Sequence, residues 1–191
     1  MTNKPDDIFK SLPVVRQATI DNLLAKGIPP LAIGNASPTG DVLKQVRGHC
    51  HSDGYFDEAE DGEMHVAILT YNQLYDPVDV VCWHPRSGAV GTQFGRAFAL
   101  GAEQIGNPGS SVFGQGVLVH CSVLNWLKAE RTGIYIIRRK LAFDELRDLP
   151  AITAENRQHG HELKALLQPK RLPKILVRKP VREARDVEEV H

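Results

Sequence analysis

Three short apolar runs, each bounded by turn-forming residues, set the strongest limit on the folds open to this chain. They cover residues 64–71 (MHVAILTY), 78–83 (VDVVCW) and 134–137 (IYII). Short runs rich in β-branched side chains are typical of buried strands, because a helix needs a longer segment with its apolar residues on one stripe. The sequence therefore predicts strands in the middle of the chain.

Helical patterns lie on either side of these runs. Residues 12–26 place their apolar side chains close to one helical stripe, and a glycine with a proline pair ends it. Ser122 is the predicted N-cap of a second helix (VLNWLKAE), which we expect Thr132 and Gly133 to close.

The remaining segments add predicted helices between and after the strands. Two further helices are predicted, over 96–104 (RAFALGAEQ) and over 143–167, the second interrupted by Pro150. Because strands and helices alternate, the predicted fold is α/β or α+β, with a central mixed sheet of about four to six strands flanked by helices. We assign residues 1–180 to a single globular domain and residues 181–191 to a charged C-terminal tail.

Composition narrows the functional classes. With 191 residues, of which 42% are hydrophobic, the chain can bury a core without disulfides or metal. The 23 Lys and Arg residues balance 23 Asp and Glu residues, which disfavours a protein that coats DNA or a membrane surface. No apolar run approaches the roughly 20 residues that span a bilayer. We expect a cytoplasmic protein without membrane contact, whose three cysteines are free thiols, with Cys82 and Cys121 packed in the core.

The cysteines lie beside histidines, and the string HCHSDG at residues 49–54 is the strongest local indication of chemistry. Side chains two residues apart in an extended segment point to the same side, so both of its imidazoles can reach one metal ion. This string predicts a zinc site, whereas the alternative is a polar surface hairpin with exposed histidines. The candidate metal ligands are His49, His51, Asp53 and His120, with Cys121 as an alternative fourth ligand.

The H-x-H-x-D order of this string is similar to the first half of the metallo-β-lactamase motif. Its H-x-H-S, followed by D-G, also resembles the opening of the PHP phosphoesterases. The first motif expects a histidine where this chain has Gly54, and both resemblances cover about six residues. They imply a small metal-dependent hydrolase as one alternative function.

Cys121 is also a candidate nucleophile, because it precedes the predicted N-cap of a helix, where the helix dipole lowers the pKa of a thiol. Either His84 or His49 would then act as its base. Core packing of the cysteine is the alternative.

Two groups of basic residues suggest contact with anions. Arg86 and Arg96 flank a glycine-rich segment (88–95) that either binds an anion or lets chain segments approach closely. Further basic residues follow the 134–137 run and gather near the C-terminus, and on one face they would contact nucleic acid. Few aromatic residues accompany them, which disfavours single strands as the ligand. In this second group the candidates for nucleic-acid contact are Arg138 and Arg139 after the 134–137 run, and Lys170 and Arg171 near the C-terminus.

The segments VDVVCWHP, FALGAEQI and VLVHCSVLNWLKAERTGIYII, within residues 78–137, resemble bacterial proteins associated with prophage-like regions, a group with no established activity. The resemblance implies a small cytoplasmic accessory protein and assigns no functional residues. Our first hypothesis is a non-catalytic binding or interaction module with a protein partner and no cofactor. The alternatives are a metal-dependent hydrolase with zinc as cofactor, and a nucleic-acid-associated protein.

Overall fold

The computed structural model describes residues 4–34, 41–106 and 116–168. Within these residues it contains six α-helices and nine strands. The helices are α1 (Pro5–Ser11), α2 (Gln17–Ala25), α3 (Pro30–Gly34), α4 (Val123–Lys128), α5 (Ala142–Leu146) and α6 (Arg157–Leu166). The strands are β1 (Lys44–Cys50), β2 (Phe56–Glu58), β3 (Glu63–Tyr71), β4 (Pro77–Trp83), β5 (Val90–Thr92), β6 (Ala99–Leu100), β7 (Val117–His120), β8 (Ile134–Ile136) and β9 (Ile152–Ala154). None of these helices is long and apolar enough to cross a bilayer.

The first sheet is antiparallel and has the strand order β2-β1-β3-β4-β5. Its two edges approach each other, because Tyr55, just before β2, forms an isolated parallel bridge with Thr92 of β5. Gly91 permits this closure. A Cβ atom at position 91 would lie 2.9 Å from the Cβ atom of Phe56 and 3.2 Å from Sγ of Cys50. The sheet therefore curls upon itself instead of remaining open.

The second sheet has the strand order β6-β8-β7-β9. Strand β7 lies in its middle and is parallel to both β8 and β9, whereas β6 is antiparallel to β8. The chain passes from β7 through α4 to β8 and then crosses to β9 on the other side of β7 through α5. Strand order thus reverses at β7.

Buried residues form three clusters around the sheets. The first joins β3, β4 and helices α2 to α4, with Trp83 and Trp126 among its members. The second packs the other face of the second sheet against α5 and α6. The third places α1 on the opposite face of the first sheet. Because both faces of β3 and β4 are covered, these strands read as continuous apolar runs.

The connection from β5 to β6 is held by the buried carboxylate of Asp79 in β4. Its Oδ1 accepts hydrogen bonds from the backbone N–H groups of Val80 and Phe94, both at 2.9 Å. Its Oδ2 accepts from those of Arg96 at 2.6 Å and Ala97 at 2.9 Å. Four donors therefore satisfy a carboxylate that has no solvent exposure.

The prediction of a mixed α/β fold is confirmed, with its strands divided between two sheets. The strands expected over 64–71, 78–83 and 134–137 are present as β3, β4 and β8. The helix expected over 12–26 begins only at Gln17, because Pro13 and Val14 lie extended beside β1. The tail, residues 181–191, lies outside the described residues.

Three helix predictions need correction. Residues 96–104 form β6 and a short 3-10 turn, since Phe98, Ala99 and Leu100 are all buried and pair with β8 rather than present one apolar stripe. Residues 143–167 contain α5 and α6 with β9 between them. Helix α4 begins at the predicted Ser122 cap but ends at Lys128 instead of near Thr132, because Glu130 and Arg131 adopt positive φ angles of 55° and 62°.

Candidate functional site

The topology of the second sheet marks one end of β7 as a place for a ligand. The chain leaves β7 for α4, which packs in the first cluster, and leaves β9 for α6, which packs in the second cluster on the opposite face. In open sheets of parallel strands, ligands bind at the carboxyl ends of the strands where the strand order reverses. Here that position lies between the ends of β7 and β9.

Polar side chains meet at this position. Glu155, directly after β9, lies between three partners from β7 and α4. Its Oε1 is 2.7 Å from Nδ1 of His120, the last residue of β7. Its Oε2 accepts hydrogen bonds from the Sγ–H of Cys121 at 2.7 Å and from Nδ2 of Asn125 at 2.9 Å. The other ring nitrogen of His120 lies 2.8 Å from the Thr132 carbonyl oxygen, so both nitrogens of the ring have a polar partner.

Local sequence builds the two loops that carry these groups. The Ser122 side chain accepts a hydrogen bond from the backbone N–H of Asn125 and begins α4 immediately after Cys121. Asn156 does the same for α6 by accepting from the backbone N–H of His159 at 2.9 Å. Both caps stop a strand and start a helix within two or three residues, so that Cys121 and Glu155 lie on short, fixed turns.

The contacts within this group shift the pKa values of Glu155 and Cys121 in opposite directions. Partial burial raises the pKa of Glu155, but hydrogen bonds from Cys121, Asn125 and His120 outweigh it and lower that pKa to about 2. The hydrogen bond to Glu155, with a contribution from burial, raises the pKa of the Cys121 thiol. At neutral pH the group therefore contains a carboxylate and a protonated thiol.

A cavity of about 150 Å³ opens beside these residues. His120 and Cys121 form part of its wall, and Ile136 with Leu163 forms an apolar part. A cavity of this size holds a small polar molecule or one polar group of a larger one, since a water molecule occupies about 30 Å³ in the liquid. The remaining polar groups of the wall are Tyr135, Arg139, His159 and Glu162. We call this cavity, with its polar wall, the β7 crevice.

The cysteines occupy three different environments, and all are free thiols, as predicted. Cys82 is fully buried, which confirms its packing role. Cys121 is exposed, so the prediction that it packs in the core is wrong. Its side chain lies at the end of β7, beyond the sheet, where it contacts Glu155 instead of apolar neighbours. Neither His49 nor His84 contacts it; the group beside it is a carboxylate.

The structure separates the candidate metal ligands. His49 lies 3.7 Å from Asp61, and His51 lies 3.0 Å from Asp57 across the β1–β2 hairpin. Asp53 accepts a hydrogen bond from the backbone N–H of Tyr55. The fourth candidate, His120, lies in the second sheet and contacts Glu155. Among the described residues, no group of three or more His, Cys, Asp or Glu side chains has the geometry to hold a metal ion.

A cysteine–histidine pair does form inside the first sheet. Sγ of Cys50 lies 3.5 Å from Nε2 of His65, whose Nδ1 is 2.9 Å from the Glu63 carbonyl oxygen. Burial raises the pKa of Cys50 and lowers the pKa of His65, so at neutral pH the pair is a thiol beside a neutral imidazole. With two ligands it does not complete a zinc sphere.

The candidate anion contacts divide between different surfaces. Arg86 lines a depression with Ala18 and Thr19 of α2. Arg96 follows Gly95 in the connection after β5, and Arg138 approaches that glycine from the end of β8. Arg139 lines the β7 crevice. Lys170 and Arg171 lie outside the described residues.

Sequence reasoning missed the two side chains that organise the crevice, Glu155 and Asn125. Glu155 was placed inside a predicted helix, so its position at the end of a strand went unnoticed. A local signal was present: Pro150 breaks the helical pattern, β-branched Ile152 and Thr153 follow it, and Asn156 is a strong N-cap residue. In comparisons with protein-family models, curated proteins and solved structures, nothing matches this chain.

Proposed function

We propose that this protein is a non-catalytic binding module that takes a small polar ligand, or the polar end of a larger one, in the β7 crevice. The observation that carries the proposal is the hydrogen bond, at 2.7 Å, that Cys121 in the wall of this cavity donates to Glu155. In this contact the thiol donates to a carboxylate that also accepts from Asn125 and lies 2.7 Å from Nδ1 of His120.

The same contact argues against covalent catalysis. A cysteine nucleophile reacts as its thiolate, and catalytic sites lower the thiol pKa with a nearby cation or a helix dipole. Here the neighbouring charge is negative, and the pKa of Cys121 is raised. Glu155, with a pKa of about 2, is also too weak a base to remove the thiol proton at neutral pH. The crevice therefore favours hydrogen bonding to a ligand over attack on it.

The charges of the crevice favour a neutral or zwitterionic ligand. Arg139 brings a positive charge and Glu162 a negative one, and the phenol of Tyr135 is a neutral donor or acceptor. A multiply charged ligand would meet one group of its own sign, whereas a zwitterion can pair with both. Free amino acids are the simplest probes with this chemistry.

The test measures alkylation of Cys121 by iodoacetamide at neutral pH, with the site assigned by mass spectrometry. We expect Cys121 to react more slowly than free cysteine. Glu155→Gln should accelerate the reaction, because loss of the neighbouring carboxylate lowers the pKa of the Cys121 thiol and increases the fraction present as thiolate. The Cys121→Ser variant removes the alkylation of this site, and any alkylation that remains in it measures the contribution of Cys50. Alkylation of wild-type Cys121 faster than that of free cysteine would identify a reactive thiolate and overturn the non-catalytic proposal.

Binding is tested with the standard L-amino acids as probes, each added at millimolar concentration. At least one should slow alkylation of Cys121 and raise the melting temperature of the wild type, and both effects should be weaker in Arg139→Gln. Arg147→Gln, an exposed arginine on another surface, is the matched control. If no probe protects the thiol, the crevice does not bind this class of ligand and the proposal fails.

The cytoplasmic location, the protein partner and the resemblance to prophage-associated proteins stay predictions. The zinc hydrolase also stays a prediction, and elemental analysis of the purified wild type and of a His49→Ala/His51→Ala variant tests it. About one zinc per chain, lost in the variant, would support it.

A further inference from the structure

A tyrosine and an arginine from distant parts of the chain meet above Gly95. This glycine has a φ angle of +64°, and a Cβ atom there would lie 2.6 Å from the Tyr55 hydroxyl oxygen and 2.8 Å from Nη2 of Arg138. The two side chains therefore lie side by side over a backbone without a side chain. Tyr55 is 44% exposed, so part of its ring faces solvent.

A second arginine–aromatic contact flanks the same glycine. The guanidinium carbon of Arg96 lies 5.5 Å from the ring centre of Phe94, within the range of a cation–π contact. Asp79 fixes this segment by accepting from the backbone N–H groups on both sides of Gly95. Two aromatic rings and two guanidinium groups thus lie around Gly95, with Phe94 and Arg96 in this connection, Tyr55 just before β2 and Arg138 just after β8. We call Tyr55, Phe94, Arg96 and Arg138 the arginine–aromatic face.

The positive charge of this face is not neutralised within the described residues. None of the ion pairs between them involves Arg96, Arg138 or the adjacent Arg139. Although the whole chain carries no formal net charge, Arg96 and Arg138 can therefore pair with an anion at this face.

We propose that the arginine–aromatic face binds single-stranded nucleic acid, an activity beyond the ligand binding proposed for the β7 crevice. Guanidinium groups pair with phosphates and also stack on planar rings. An exposed tyrosine offers a ring on which an unpaired base can stack, which a base inside a duplex cannot do without leaving its neighbours.

The test measures fluorescence anisotropy of a labelled oligothymidylate with the full chain. We expect saturable binding at about 50 mM salt that weakens steeply toward about 200 mM, since phosphate contacts release counterions. A duplex of the same length should bind more weakly. Tyr55→Ala should reduce the affinity for the single strand about tenfold, whereas Tyr55→Phe, which keeps the ring, should reduce it little. Arg138→Gln should lower the slope of log affinity against log salt by about 0.7.

Arg86→Gln is the matched control, because it removes the same charge from another surface. Melting temperatures of all variants identify any that fail to fold. Any of these results would overturn the proposal: no binding by the wild type at low salt, equal losses in Arg86→Gln and Arg138→Gln, or full affinity in a folded Tyr55→Ala. Equal competition by polyglutamate would identify a general anion face and would also overturn it. Cys121 alkylation is independent of these measurements, so the two proposals fail separately.

Discussion

At the scale of single residues, Glu155 joins three parts of the second sheet. It follows β9, yet its carboxylate contacts the end of β7 through His120 and the first turn of α4 through Asn125. Its side chain is 16% exposed, so these hydrogen bonds form in a partly desolvated place where they are stronger than in water. Loss of its charge should therefore loosen the crevice and the packing of the sheet together.

Glu155→Gln should destabilise the protein in a pH-dependent way. The pKa of Glu155 is lowered in the folded state from 4.5 to about 2, so its ionisation contributes stability that is fully present above pH 4.5 and is lost as pH falls toward 2. The difference in free energy of unfolding between wild type and variant should therefore be largest at neutral pH and shrink in acid. Urea unfolding at a series of pH values measures it.

The control for this series is Glu162→Gln, which removes a charge from the same crevice. Glu162 is exposed, and its one described hydrogen bond is to the neighbouring side chain of Gln158 at 3.2 Å. Its substitution should change stability at neutral pH less than that of Glu155. A Glu155→Gln effect that stays constant across the pH range would show that the ionised carboxylate is not the source of the stability.

At the scale of elements, the connection between β5 and β6 owes its shape to Asp79. This connection carries Phe94 and Arg96, and the backbone N–H groups of both residues donate to Asp79. A carboxylate can accept about four hydrogen bonds, so one buried residue binds three N–H groups of a segment without regular structure and one of its own strand. The arginine–aromatic face therefore depends on a residue that is itself inaccessible to any ligand.

Asp79→Asn should destabilise the protein by about 3 kcal/mol, because the amide nitrogen cannot accept and would face two N–H groups left without partners. Urea unfolding monitored by circular dichroism measures the loss. Asp76→Asn is the control; its exposed carboxylate accepts one hydrogen bond from the Asn72 side chain, and we expect a change below about 1 kcal/mol. Similar losses in both variants would contradict the role of Asp79.

At the scale of the whole molecule, one buried cluster joins the two sheets. It contains Val66 and Val81 of the first sheet, Leu100 of the second, and helices α2 to α4. Trp83 of β4 and Trp126 of α4 both belong to it, and each is at most 3% exposed. Separation of the sheets would expose this cluster, at a cost of about 25 cal/mol for each Å² of apolar surface.

The described sheets should therefore unfold in one transition. In Trp83→Phe the remaining fluorescence reports on α4, and in Trp126→Phe it reports on the first sheet. For each variant we expect the urea midpoint from tryptophan fluorescence to coincide with that from far-ultraviolet circular dichroism. The two variants need not be equally stable, since the comparison is made within each. Separate transitions in either variant would show that the sheets unfold independently.

Features that depend on neighbours within a few residues are predictable from the sequence. The apolar runs of β3, β4 and β8 indicated buried strands because both faces of each are covered. Ser122 identified the start of α4 because a cap acts on the N–H group three residues ahead. The mixed α/β class followed from the order of such local patterns.

Contacts between residues that are far apart in the sequence depend on the tertiary structure. Strand β9 has three residues, and its pairing with the distant strand β7 depends on the fold that brings the two together. Cys121 donates to Glu155, 34 positions later in the chain. Tyr55 and Arg138 both lie over Gly95, which is distant in sequence from each of them. Each of these contacts depends on strand order and register, which are fixed by burial of the shared core rather than by any one segment. Both candidate surfaces of this protein belong to this second kind of feature.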